Sequence, residues 1–175
     1  IESIESILMV FVSNFHRQYS HELLATLEEN NLLEVFYTSL AADKLPWENL
    51  PEPVRRQVRK RRFPGIPPSK IRHFPLLFLL ERVLRDRLPA IGRLLADRFD
   101  RRVAARVHSS SSNLVLTYEN ANRRTIRAAK QAGKTTVLDL AQIHHEDIAQ
   151  YARWFMSPEA LRAEIEVVNP RKVEA

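Results

Sequence analysis

The chain contains no cysteine among its 175 residues, which excludes disulfides and thiolate metal sites and is compatible with a reducing compartment. Glycine is nearly as scarce: Gly65, Gly92 and Gly133 are the full set. Neither G-x-G-x-x-G nor G-x-x-x-x-G-K-[ST] can be written with them, so nicotinamide-cofactor binding and P-loop hydrolysis are disfavoured. The isolated Gly133-Lys134-Thr135 follows a helical stretch instead of opening one. Long apolar runs are missing too, and Leu76-Leu77-Phe78-Leu79-Leu80 is far too short to cross a bilayer. No basic segment followed by an apolar stretch and a cleavage site opens the chain. Beginning on Ile1 and ending just past Asn169-Pro170, it reads as part of a longer product.

Hydrophobic content of 45% and charged content of 27% fit a soluble globular domain with a real core. The net charge of +6, with a pI near 10.0, favours phosphate-rich or anionic-membrane partners and says nothing about fold.

Ile7-Leu8-Met9-Val10-Phe11-Val12 is the uninterrupted apolar run of a strand buried on both faces. Ser13 and Asn14 follow as helix caps. Tyr19, Leu23, Leu24 and Leu27 recur at helical spacing until Asn30-Asn31 stops the helix. Leu33-Glu34-Val35-Phe36-Tyr37-Thr38 is a second strand. A strand, a helix and a strand with no hairpin turn between them signal a crossover and a parallel sheet.

The pattern breaks over residues 41–75, which hold seven of the ten prolines and the densest basic run. This stretch reads as a long, partly ordered connection with one short strand around residues 70–74. Two apolar helices follow, one near residues 76–85. The other carries Leu88, Ile91, Leu95, Phe99, Val103 and Val107, with Pro89 in its first turn. Alternation then resumes with a strand at 113–118, a helix at 121–132 stopped by Gly133, and a strand at 135–140. Helices marked by Ile148, Tyr151 and Phe155 and by Ser157-Pro158-Glu159 close the chain. The expected fold class is α/β: a Rossmann-like, doubly wound, mainly parallel sheet flanked by helices, with residues 1–175 as a single domain.

Ligands of open α/β sheets sit beyond the carboxyl ends of the strands. That rule gathers Ser13, Asn14, Phe15 and His16, then Tyr118, Glu119 and Asn120, then Gln142, Ile143, His144 and His145 on one rim. His144 or His145 can serve as general acid or base or bind a hydroxyl or phosphate; either can equally start a helix in solvent. Glu119 is a candidate acceptor-activating carboxylate, or simply a favourable charge near a helix N-terminus. Ser13 and Asn14 are candidate substrate contacts, although capping alone explains both. Asp139, within a strand, reads as a buried structural partner. His144-His145-Glu146-Asp147 lacks an i, i+4 histidine pair, so no metal site is expected.

Arg55, Arg56, Arg59, Lys60, Arg61 and Arg62 form the loudest charge feature. The run has few aromatics to stack on bases and no surrounding nucleic-acid motif, which disfavours nucleic acid. Anionic headgroups are an equally sensible partner, and a solvated segment is the bland alternative.

Three stretches together resemble the N-terminal domain of family 4 glycosyltransferases. They are Val12-Ser13-Asn14-Phe15-His16, Tyr118-Glu119-Asn120-Ala121 leading to Ala128-Ala129-Lys130-Gln131-Ala132-Gly133-Lys134, and Val137-Leu138-Asp139-Leu140-Ala141-Gln142-Ile143-His144. Phe99-Asp100-Arg101-Arg102-Val103-Ala104 is similar as well. The order and spacing of these pieces, over residues 7–153, carry the resemblance. It implies a GT-B architecture in which this half receives the acceptor. A donor-binding C-terminal domain, not included in this chain, would hold the nucleotide-sugar.

Transfer in that family is usually retaining and uses no bound metal. His144 matches the histidine that reaches the donor sugar. Many members have a glycine-rich turn after the first strand, from which Ser13-Asn14-Phe15-His16 departs. The resemblance thus implies a hexosyltransferase half inactive on its own and a sugar or glycolipid acceptor. The place expected is cytoplasmic, with the basic run as the contact for a peripheral seat on the inner face of a membrane. Two other readings compete. One is a non-catalytic α/β module recruiting an anionic membrane or protein partner, and the other is a nucleotide-sugar epimerase with a GT-B-like fold.

Overall fold

A computed structural model describes residues 8–16, 20–46, 52–85, 87–88, 90–118, 121–139 and 157. The chain divides into two compact units, Ile1–Asp139 and Leu140–Ala175. The helices expected beyond residue 140 lie outside the described residues.

The first unit is built on a five-stranded sheet, all of whose pairings are parallel. Its strands are β1 (Val10–Asn14), β2 (Leu33–Thr38), β3 (Ile71–His73), β4 (Leu114–Tyr118) and β5 (Thr135–Asp139), in the spatial order β3-β2-β1-β4-β5. Strand β1 is central and buried along its whole length, as its apolar run demands. The chain winds outward from β1 through β2 to β3, then returns to β4 on the other side of β1. The doubly wound, Rossmann-like α/β expectation is met.

Helix α1 (Ser20–Glu29) packs on one face, where Leu24 joins Val10, Val12, Leu33, Phe36, Leu116 and Tyr118. Asn31, at φ 57°, turns the chain back toward β2. The β2–β3 connection covers the same face with Phe63 and Ile66, and Phe63 meets Phe36 edge-on at 4.9 Å. This connection is more regular than the proline content suggests. Among its described residues are a helix, α2 (Glu52–Arg59), and two short 3-10 turns. Proline is tolerated in a helix's first turn, and Pro51 and Pro53 flank the first residue of α2.

Helices α3 (Pro75–Leu84), α4 (Ile91–Val107) and α5 (Arg123–Gln131) cover the opposite face. There Phe11, Leu77, Leu95, Phe99, Val103, Val107, Val115, Ala128 and Ala129 form one cluster. Burying Phe11, Phe36 and Phe99 contributes about 1.5–3 kcal/mol each. Helix α4 begins at Ile91, and Pro89, expected in its first turn, lies outside the described residues. Gly133, at φ 69°, ends α5 as expected.

Two strand details differ from expectation. The first strand starts later and runs on to Asn14, because Ser13 pairs with both Tyr37 and Thr117 in register. Sheet neighbours on both sides keep this backbone extended where the local sequence offers a cap. Asp139 is exposed, not buried: among the described residues β5 pairs with β4 alone and presents much of its surface.

Candidate functional site

Chain winding on opposite sides of β1 puts the topological switch point at the carboxyl ends of β1 and β4, the position where such sheets bind ligands. Register fills it with polar groups. Asn14 lies opposite Thr38 of β2, and Ser13 opposite Thr117 of β4. Alternation along each strand then puts Asn14, Thr38 and Tyr118 on one face. It is the face on which Leu24 of α1 packs beside Val12, Phe36 and Tyr118.

Ser20, first residue of α1, lies one turn before Leu24. A helix that returns from the carboxyl end of β1 necessarily starts there, so Ser20 belongs to the same corner.

All four side chains are at most 3% exposed. The amide nitrogen of Asn14 and the hydroxyls of Ser20, Thr38 and Tyr118 find no hydrogen-bond partner among the described residues. Leaving a buried polar group unsatisfied costs about 1–3 kcal/mol, and native folds rarely tolerate several together. Four such buried groups at one corner make it the candidate binding site. Burial, reinforced by Asp139, pushes the Tyr118 phenol up to about 12, so it stays a neutral donor. Ser13 is likewise buried and unpartnered, with its side chain on the other face.

His16 continues the rim beyond β1. Its ring meets Phe15 edge-on at 4.7 Å. Burial lowers its pKa, Glu81 of α3 works in the opposite sense, and Arg61 and Arg85 lower it further. The imidazole is therefore neutral at pH 7, fit to accept or donate a hydrogen bond. Neighbouring backbone is held in place: the Ser39 hydroxyl donates to the Phe15 carbonyl at 2.6 Å. The Ala41 amide donates to Nδ1 of His73 at 3.3 Å. His73 too is lowered, mainly by burial and then by Lys44.

The structure thus brings Asn14, Tyr118 and His16 of the expected set to one end of the sheet, with Ser13 beside them. Glu119, Asn120, His144 and His145 lie outside the described residues, as does Gln142. Arg55, Arg56 and Arg59 sit on α2, and Lys60, Arg61 and Arg62 in the turn after it. Sequence reasoning missed Thr38, Ser20 and Glu81. Thr38 ends an apolar strand as Asn14 does and was open to the same rule. Ser20 was masked by the expectation that Ser13 or Asn14 would begin the helix.

Chemically the row of Asn14, Ser20, Thr38 and Tyr118 offers neutral hydrogen-bonding groups, while Glu81, Arg61 and Arg85 act at its His16 margin. That composition suits hydroxyl-bearing ligands better than a bare diphosphate. Among the described residues no three of His, Asp and Glu converge as a metal-ion site. No protein-family model, no curated protein and no solved structure matches the chain.

Proposed function

We propose that this chain is the acceptor-side half of a GT-B-type glycosyltransferase, holding a sugar-bearing acceptor against the carboxyl ends of β1, β2 and β4. The observation that carries this reading is the buried row of Asn14, Thr38 and Tyr118, with Ser20 and His16 at its margins. Sugars present several hydroxyls at fixed spacing, and a pocket of amide and hydroxyl donors complements them in a way that a charged cleft does not.

In this reading Glu119, which follows Tyr118 directly, activates or orients the acceptor hydroxyl, and His144 reaches the donor sugar. Donor phosphate charge must be stabilised as the sugar leaves. The cationic groups for that task belong to a second, nucleotide-sugar-binding domain. The isolated chain is accordingly inactive.

The test pairs the chain with a nucleotide-sugar-binding GT-B domain, taken from whatever its parent reading frame encodes, and measures nucleotide release from a panel of nucleotide sugars with sugar acceptors. Acceptor-dependent release is expected, with kcat/KM lowered about 10- to 100-fold by Asn14→Ala or Tyr118→Phe, the loss of one or two hydrogen bonds in the transition state. Turnover by the isolated chain would overturn the assignment, as would an Asn14→Ala enzyme of unchanged activity. Epimerised nucleotide sugar formed without acceptor would point to an epimerase instead.

A further inference from the structure

Helix α3 is apolar on the wrong side. Its inner face is accounted for: Leu77 is buried in the core, and Phe78 packs against Leu40, Ala42 and Val58. Yet Leu76 is 69% exposed, Leu79 51%, Leu80 45% and Val83 65%. At 3.6 residues per turn these four fall within an arc of about 100°, a continuous stripe facing away from the protein. Leu88 and Leu94, just beyond α3 and in the first turn of α4, are also exposed. A solvated helix carries polar residues on such a face, and a contiguous apolar patch marks an interaction surface.

Charge identifies the occupant. Arg82 on α3, and Arg85 and Arg87 just after it, are exposed. The end of α2 abuts this helix, with Val58 packed near Phe78 and the Arg61 guanidinium 4.9 Å from the Phe78 ring centre. It brings Arg56, Arg59 and Lys60, all exposed. The single acid of α3, Glu81, is half-buried and acts on His16 instead. An apolar stripe bordered by cations repels a second copy of itself, since like charges would meet. It fits a surface that is apolar beneath and negative above.

We propose that α3, with the basic end of α2, docks this protein on an anionic lipid bilayer. Leu76, Leu79, Leu80 and Val83 enter the acyl boundary while the arginines and Lys60 lie among headgroups. One signal alone gives marginal attachment, and the pair makes it stable. This surface is independent of whether the carboxyl rim of the sheet holds a sugar, although Glu81 of α3 acts on His16 at that rim.

Flotation of the 175-residue chain with vesicles tests it, comparing phosphatidylcholine alone with a two-to-one mixture of phosphatidylcholine and phosphatidylglycerol. Binding to the mixture, weakened by salt and by omission of the anionic lipid, is expected. The triple change Leu76→Ser, Leu79→Ser, Val83→Ser should lower it at least about tenfold with the melting temperature unchanged, because these side chains are exposed. Should that protein fail to fold, Leu79→Ser alone should still give a several-fold loss.

Replacing Arg56, Arg59 and Lys60 by Gln should lower binding roughly 100-fold, about fivefold per charge. The proposal is overturned if the chain stays unbound on anionic vesicles or if the serine variants float as well as the parent. It is also overturned if sedimentation shows a dimer held by the stripe with no vesicle binding. Binding of a DNA duplex that survives the serine changes, again without vesicle binding, would assign the cations to nucleic acid and overturn it too.

Discussion

Asp100 shows how much one buried carboxylate can do. It lies on α4 but serves α5: its oxygens accept from the amide of Arg124 at 2.7 Å, the amide of Thr125 at 2.9 Å and the Thr125 hydroxyl at 2.6 Å. The first turn of a helix has amides without intrahelical partners, and here a neighbouring helix supplies the cap. Asn122, the local residue at the cap position, instead donates its side chain to the Tyr118 carbonyl at 2.7 Å. Asp100→Ala removes three hydrogen bonds to a charged acceptor and leaves buried donors unmet. A loss of about 2–4 kcal/mol is expected, read as a lower urea midpoint with an unchanged slope. A loss under about 0.5 kcal/mol would mean that α5 is capped in some other way.

Elements are stitched together by a second carboxylate. Glu34, near the start of β2, accepts from the Ser110 hydroxyl at 2.5 Å, the Ser111 amide and hydroxyl at 2.9 and 3.0 Å, and the Ser112 amide at 2.7 Å. Burial raises its pKa, yet these hydrogen bonds outweigh that and hold the carboxyl below its ordinary value. Lys134, just before β5, donates to the carbonyls of Ser110 and Ser112 at 2.7 and 2.8 Å. The serine turn leading to β4 is therefore clamped from both directions along the sheet, by β2 across β1 and by the approach to β5. Glu34→Gln keeps the shape but gives up charge-assisted acceptance, and a loss of about 1–3 kcal/mol is expected. Faster amide exchange at Ser111 and Ser112 should accompany it; protection equal to the parent's would show that the clamp is idle.

For the whole molecule, two imidazoles among the described residues shape the response to acid. His16 and His73 both titrate below the ordinary value of 6.5, chiefly because burial disfavours the cation. In the unfolded chain they protonate first, so below about pH 6.5 the unfolded state binds more protons than the native one. Stability is fully present above that pH and declines as pH falls through the folded values. Chemical unfolding at pH 8 and at pH 5 should show this decline before the carboxylates titrate, and His16→Asn should remove part of it. A domain equally stable at both pH values, or more stable at pH 5, would contradict the assignment.

The sequence by itself determined the strands, the helices outside the proline-rich connection and the parallel winding, because those depend on local apolar runs, spacing and turn residues such as Gly133; α2 was hidden by its flanking prolines. It also brought Asn14, Tyr118 and His16 to one rim, since strand ends follow from strand positions. Tertiary structure decided the rest. Whether Ser13 and Asn14 cap a helix or extend a strand depends on β2 and β4, which lie on either side of β1 and complete its hydrogen bonds. That Asn14 meets Thr38 is a matter of register, which no local pattern specifies. Helical spacing reveals that α3 is apolar, but only packing decides that Leu77 turns inward while Leu76, Leu79 and Val83 face out. Contacts between distant segments choose which of two apolar faces the core accepts.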